Sequence, residues 1–266
     1  MNKFNPDDIK GIKIISICVG ILLLLLLAPI LLRDTKKYDS VTRCPTEIPY
    51  NHTVVIVDKT DALSKGQRHS LQVFKEEIQK ELQLYERVSI YVLDDTNYMA
   101  PVPIFDKCNP GTGDEANSLY QNPKKIQREF VESFGEPLNK SFDKLMEVKQ
   151  TKHSPILEMI NSITTMTDFE QCSQECKLII VSDMLQNMPK YSQYDDFGHE
   201  DLEYEEFSKT QYARGVESPL SGVKVGIMYL LRPGTNDLDV VKEHIEFWQE
   251  YFGDNGAILS SVKRIQ

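Results

Sequence analysis

The chain has 266 residues, with 30 Lys+Arg against 40 Asp+Glu and 41% hydrophobic residues. That length suits one domain of ordinary size plus an appendage, and the composition excludes a disordered or low-complexity chain. Residues 1–37 hold six basic and three acidic side chains, so the remaining 229 carry a net charge of −13, a surface that repels nucleic acid.

From the amino terminus, a short tail (1–11) leads into residues 14–32, which run for 19 positions without a charged side chain and include six consecutive leucines at 22–27. Such a stretch spans about 28 Å as a helix, close to the hydrocarbon core of a bilayer. It shows no polar face of the kind a soluble helix carries. A transmembrane anchor over 12–32 is expected. A cleaved signal peptide would have a shorter apolar region and a small-x-small site. Here Ala28-Pro29-Ile30-Leu31-Leu32-Arg33 offers none. Lys3, Lys10 and Lys13 precede the segment and Arg33, Lys36, Lys37 and Arg43 follow it, so the positive-inside rule gives no orientation. Cysteines favour one side. Cys18 lies in the span, whereas Cys44, Cys108, Cys172 and Cys176 form an even set that suits two disulfides in an oxidising compartment. The alternative is four reduced thiols in a cytosolic domain. The expectation is a single-pass cell-membrane protein with an extracytoplasmic domain, periplasmic if the source is bacterial.

Residues 33–50 are polar and carry Pro45 and Pro49, which reads as a tether before a domain over 51–266. Thr53-Val54-Val55-Ile56-Val57 is a continuous apolar run, the pattern of a strand covered on both faces. Residues 64–85 read as a helix, with Ser64 as N-cap and Leu71, Phe74, Ile78 and Leu82 on one face. A second strand is expected at 88–93, an irregular stretch at 96–120, and a helix over 123–149 interrupted near Gly135 and Pro137. Ser154-Pro155 opens a shorter helix. Further strands are expected at 178–181 and 223–230, and a last helix at about 236–252 with Val240, Val241, Ile245 and Trp248 on one face. This alternation predicts an α/β, Rossmann-like three-layer domain: a mostly parallel sheet with helices on both faces.

Ligands of such sheets bind beyond the carboxyl ends of the strands, at the switch in strand order. Three segments bring oxygen-bearing side chains there: Asp58, Thr60, Asp61 and Ser64 after the first strand, Ser154 at its helix, and Asp183 after the third strand. Hard oxygens suit Mg²⁺, Mn²⁺ or Ca²⁺ rather than zinc. Each residue also has an ordinary local use. Asp58, Asp61 and Ser154 suit helix caps, Thr60 bonds its own turn, and Asp183 is a common turn residue.

Over 51–262 the chain resembles the von Willebrand factor type A domain family, on Asp58-Lys59-Thr60-Asp61-Ala62, on Ser154, and on Asp183 within Val181-Ser182-Asp183-Met184-Leu185-Gln186-Asn187. In that family Asp-x-Ser-x-Ser, a threonine and a strand-closing aspartate form a metal-ion-dependent adhesion site. The resemblance implies a divalent cation (Mg²⁺ or another) held by Asp58, Thr60, Ser154 and Asp183, with Asp61 and Ser64 as helpers, and a protein partner that supplies the last carboxylate. Two departures point to a partly degenerate site: Ala62 stands where a serine is expected, and Ser154 replaces the threonine.

Catalysis is not expected. No nucleophile elbow, phosphate-binding loop or dinucleotide fingerprint is present, and His52, His69, His153, His199 and His244 show no ligand spacing. Asp58 and Asp61 are one residue too far apart for the Asp-x-Asp of the haloacid-dehalogenase-type phosphatases. An acidic insertion at about 190–215 has seven Asp or Glu among the twelve residues from Asp195 to Glu206, a solvated surface or a docking face for a basic partner. The function expected is membrane-anchored protein binding within a membrane-associated assembly, with a divalent cation at the site as the resemblance implies. The alternatives are a metal-free scaffold and a metal-dependent hydrolase.

Overall fold

Residues Met1–Lys37 and Tyr38–Gln266 form two separate units. The computed structural model describes residues 6–31, 37–60, 62–93, 95–116, 122–146, 151–166, 169, 175–194, 203–232 and 238–266. The first unit is helix α1 (Pro6–Leu31), whose Ile14, Ile15, Ile17, Val19 and Ile21–Leu27 side chains are all at least half exposed. Side chains of α1 are described only at 11 and 13–27, and among the described residues no helix is long and apolar enough to cross a membrane. The span expected at 12–32 is therefore not a finding of the structure.

The second unit begins earlier than the sequence suggests. Residues 38–50, expected as part of a tether, belong to it. Asp39 folds the strap by accepting the Val41 and Thr42 N–H groups at 2.9 and 2.7 Å. The strap then pairs with the domain through the Cys44–Cys108 disulfide and the Cys108 N–H on the Thr42 carbonyl at 2.8 Å. Cys176 is also disulfide-bonded, Cys172 lies outside the described residues, and Cys18 is a free, exposed thiol.

Strand β1 (His52–Asp58) is buried at every position, as its uninterrupted apolar run requires. Helix α2 (Lys65–Glu81) starts at Ser64 with a capping box: the Ser64 hydroxyl accepts the Gln67 N–H at 3.1 Å, and the Gln67 amide oxygen accepts the Ser64 N–H at 2.8 Å. β2 (Arg87–Leu93) follows, and then β3 (Phe105–Cys108), a strand inside the stretch expected to be irregular. Its four residues bury only Phe105 and Cys108, too short a pattern to read from sequence.

The interrupted helix appears as α3 (Pro123–Phe130), a π turn (Val131–Gly135) and α4 (Glu136–Leu145). Pro137 has no N–H to continue the α ladder, which is why the register changes there. α5 (Ile156–Thr164) leads to β4 (Cys176–Ser182), a small hairpin of β5 (Asn187–Met188) and β6 (Tyr191–Ser192), and the short helices α6 (Tyr204–Ser208) and α7 (Gln211–Gly215). Of the acidic insertion, residues 195–202 lie outside the described residues. The chain ends with β7 (Lys224–Leu230), α8 (Leu238–Asp254) and β8 (Ile258–Ile265). Gly256, at φ +81°, closes α8 in the left-handed conformation, and the Ala257 N–H returns to the Phe252 carbonyl at 2.8 Å. β8 is exposed or partly exposed at every position but Ile265, an edge-strand pattern that no continuous apolar run announces.

The sheet runs β3-β2-β1-β4-β7-β8, all parallel except β3. Alternate residues feed two cores. Val55, Val57 and Ile90 pack with Leu71, Phe74, Leu138 and Phe142 of α2 and α4. Val54, Ile56 and Ile180 pack with Ile156 and Ile160 of α5, Phe207 of α6, and Phe247, Trp248 and Phe252 of α8. The three-layer α/β architecture follows directly from this alternation.

Candidate functional site at the carboxyl edge of the sheet

Strand order reverses between β1 and its neighbour β4, so a crevice opens beyond their carboxyl ends. The structure brings Asp58, Thr60, Ser154 and Asp183 to this place. β1 ends in Asp58, 5% exposed. One Asp58 oxygen accepts the Thr60 N–H at 2.8 Å. The other accepts the Ser182 hydroxyl at 2.7 Å and the Ser154 hydroxyl at 3.1 Å. Burial raises the Asp58 carboxyl above its usual range, and these donors partly offset that.

Ser154 does not cap α5, contrary to the expectation. The cap position is Pro155, with no side-chain bond, and the Leu157 N–H is satisfied instead by the Gln186 amide oxygen at 2.9 Å. Ser154 is thereby released to donate to Asp58. Its backbone forms a two-way bridge with Asn187, both bonds at 2.9 Å, which ties the α5 entrance to the hairpin after β4.

Asp183 lies at the end of β4, followed by Met184 in the left-handed region at φ 63°. That bend is over-determined. The Met184 N–H donates to the Ser182 hydroxyl at 2.8 Å, and the Met184 carbonyl accepts the Trp248 indole N–H at 3.0 Å. Asp183 accepts the Leu185 N–H on one oxygen at 3.0 Å and the Arg232 Nε–H on the other at 2.5 Å. Burial and the neighbouring Asp58 charge push its carboxyl up to about 6 against the opposing pull of Arg232. Arg232 stands beyond β7, its guanidinium centre 4.4 Å from the Tyr194 ring centroid and one Nη donating to the Tyr194 hydroxyl.

A buried polar group backs the rim. His244 of α8 is fully buried, contacts Tyr229 at 2.7 Å, Gln193 at 3.2 Å and Trp248 at 3.1 Å, and is held down to about 3 by desolvation. Gln186 donates to Glu158 and to the Tyr212 hydroxyl, both at 2.9 Å. His244, Gln186 and Gln193, all fully buried, fix the loop 183–193 from beneath.

Of the two helpers, Ser64 spends its hydroxyl on the α2 cap, and Asp61 lies outside the described residues. The residues present do not fit a divalent cation as arranged. Both Asp58 oxygens and both Asp183 oxygens already accept donors, Ala62 brings none, and a guanidinium lies against Asp183. Among the described residues no group of three or more His, Cys, Asp or Glu side chains converges for a metal. Sequence reasoning missed Ser182, Gln186, Tyr194 and Arg232. Arg232 carried a usable signal, a basic residue just past an apolar strand in a domain whose other expected strands are followed by aspartates.

No family model and no curated protein matches the chain. Among solved structures it is similar to the pilus adhesin SpaC from Lactobacillus rhamnosus GG in the open conformation, at 11% identity and a TM-score of 0.43 over 81% of this chain and 27% of the adhesin. The chain thus spans about a quarter of that protein's length, and a likeness at this score assigns neither fold family nor function.

Proposed function

We propose that the protein is a membrane-anchored, von Willebrand type A-like binding domain that takes a protein partner at the carboxyl edge of its sheet without a bound cation, and that it is not an enzyme. The observation that carries this reading is the closed hydrogen bonding of the rim. Asp58, Thr60, Ser154, Ser182, Asp183 and Arg232 come from four separate segments, and the two carboxylates are held by donors rather than turned to a reacting group. Such a site is rigid, and rigidity suits recognition. The mostly parallel sheet covered on both faces agrees with what the family resemblance implies. The loop leaving the carboxyl end of β2 adds exposed Met99 and Val102, at 72% and 73%, as contact groups on the same edge. The uncharged run at 14–32 and the exposed apolar side chains of α1 support the anchor, and the Cys44–Cys108 disulfide supports an oxidising, extracytoplasmic location.

The test is site-specific photo-crosslinking of the full chain in native membranes. Photoreactive residues at Met99 and Val102 are expected to give a discrete adduct that survives EDTA, and one at Lys224, at the opposite edge, is expected to give none. Adducts from Lys224 alone would refute the assigned edge, and adducts lost in EDTA would restore a cation-dependent mechanism. Alkaline carbonate extraction should leave the chain in the pellet; release into the supernatant would remove the anchor.

A further inference from the structure

Two buried carboxylates placed side by side need positive charge nearby. In a cation site that charge is a metal ion. Here the described residues supply it covalently. Arg232 reaches Asp183 with its Nε–H at 2.5 Å and rests against Tyr194, with its side chain 30% exposed at the mouth of the crevice and that of Asp183 only 10% exposed beneath it. Tyr194 belongs to the segment that follows the β5–β6 hairpin, and this hairpin is bridged to Ser154, so the aromatic seat of the guanidinium and the hydroxyl on Asp58 are parts of one support.

We infer that Arg232 is the resident cation of this site: it occupies Asp183 in place of a divalent metal, and its removal opens the crevice to one. The remaining oxygens are the hard donors such an ion takes, namely the carboxylates of Asp58 and Asp183 and the hydroxyls of Thr60, Ser154 and Ser182. A metal arriving at the wild-type site would have to break a charge-assisted hydrogen bond and then sit beside a like charge. Arginine suits this role better than lysine because its planar fork bonds the carboxylate while its face stacks on tyrosine. The inference deepens the cation-independent reading of the rim and rests on it only for the site's position. Absence of adducts at Met99 and Val102 refutes the assigned edge and leaves the metal result unaffected, whereas a folded Arg232→Met that binds no metal refutes this inference and leaves the edge unaffected.

The experiment is thermal unfolding of the full chain in detergent, with and without millimolar Mg²⁺ or Mn²⁺, together with Mn²⁺ titration followed by electron paramagnetic resonance. Wild type should show no metal-dependent melting shift. Arg232→Met should gain a saturable, EDTA-reversible rise of several degrees, by mass action on the native state, and Arg232→Met combined with Asp183→Asn should lose it. Arg232→Lys, which keeps the charge, should still exclude Mn²⁺ and serves where Arg232→Met does not fold. Saturable Mn²⁺ binding by the wild type or by Arg232→Lys, or a folded Arg232→Met that binds no metal, would overturn the inference.

Discussion

Two arginine–aspartate pairs sit at opposite ends of the sheet. At the amino end, Arg87 of β2 grips Asp106 of β3 with two parallel bonds, Nε–H to Oδ1 at 2.7 Å and Nη2–H to Oδ2 at 2.6 Å, and Ser89 donates to the same carboxylate at 2.8 Å. Both residues lie on adjacent paired strands, so the ladder register fixes their distance. At the carboxyl end, Arg232 and Asp183 both lie beyond strand ends, are joined by the Arg232 Nε–H on an Asp183 oxygen, and owe their meeting to side-chain contacts with Tyr194 and the Met184 bend. The chemistry is the same and the mechanical support is not. A pair set by register holds the fold; a pair set by loops can be replaced at less cost to it.

The contrast can be broken most directly at the amino end. The Cys44–Cys108 disulfide spans a sequence separation of 64 and fastens the strap to β3 beside the Arg87 clamp. The chain-entropy treatment gives a loop of that length about 4 kcal/mol. Denaturant unfolding of the Cys44→Ser/Cys108→Ser double variant should show a loss of that order, and a loss below about 1 kcal/mol would mean the strap is not part of the fold's support.

A smaller effect comes from the pairs themselves. Asp106→Ala leaves Arg87, whose side chain is 8% exposed, buried against a missing partner. It should cost about 3 kcal/mol or more. Asp183→Ala should cost about 1 kcal/mol or less, since Arg232 can turn to water and a buried carboxylate is removed with it. Equal costs for the two variants would mean that register and loop support hold the two pairs alike.

The pH profile sharpens it further. Asp183 is raised from 3.8 to about 6, so its contribution to stability is complete below pH 3.8 and declines as pH rises through 6. His244 is lowered from 6.5 to about 3, so its contribution is complete above pH 6.5 and declines as pH falls towards 3. The two oppose each other in the overlap. Melting temperature between about pH 4 and 6 should climb more steeply in Asp183→Asn than in wild type, and should tilt downward with rising pH in His244→Gln. Parallel profiles for all three proteins would contradict the assignment of these groups.

The smallest effect belongs to an exposed pair at the amino edge, Lys224 with Glu175 at 2.8 Å. Lys224→Ala should change stability by no more than about 0.5 kcal/mol in an unfolding titration. A larger cost would show that distance from the core, rather than register, is a poor guide in this protein.

Much of the domain was legible along the chain because burial on both faces leaves a plain signature. The runs at 53–57, 88–93, 178–181 and 223–230 all appear as β1, β2, β4 and β7, extended by one or two residues at most ends. The helix break near Gly135 and Pro137 and the Ser64 cap were likewise readable, since each depends on residues within one turn. β3 and β8 were not, because edge strands bury one face or less and need no apolar run. The site was half legible: Asp58, Thr60, Ser154 and Asp183 do meet, but their oxygens face hydroxyls, amides and a guanidinium rather than an open cavity.

Local patterning by itself therefore determined the alternation of strands and helices, the apolar amino-terminal helix, the cysteines available for bonding and the acids placed at strand ends. Only the tertiary structure decided that residues 38–50 are pinned to an edge strand, that Ser154 serves Asp58 instead of its own helix, and that Arg232 lies on Asp183. The reason is distance along the chain. Caps and periodicities are written within a few residues, whereas Asp58, Ser154, Asp183 and Arg232 are brought together by strand order alone, and which donor reaches which oxygen is settled by packing that no local pattern encodes.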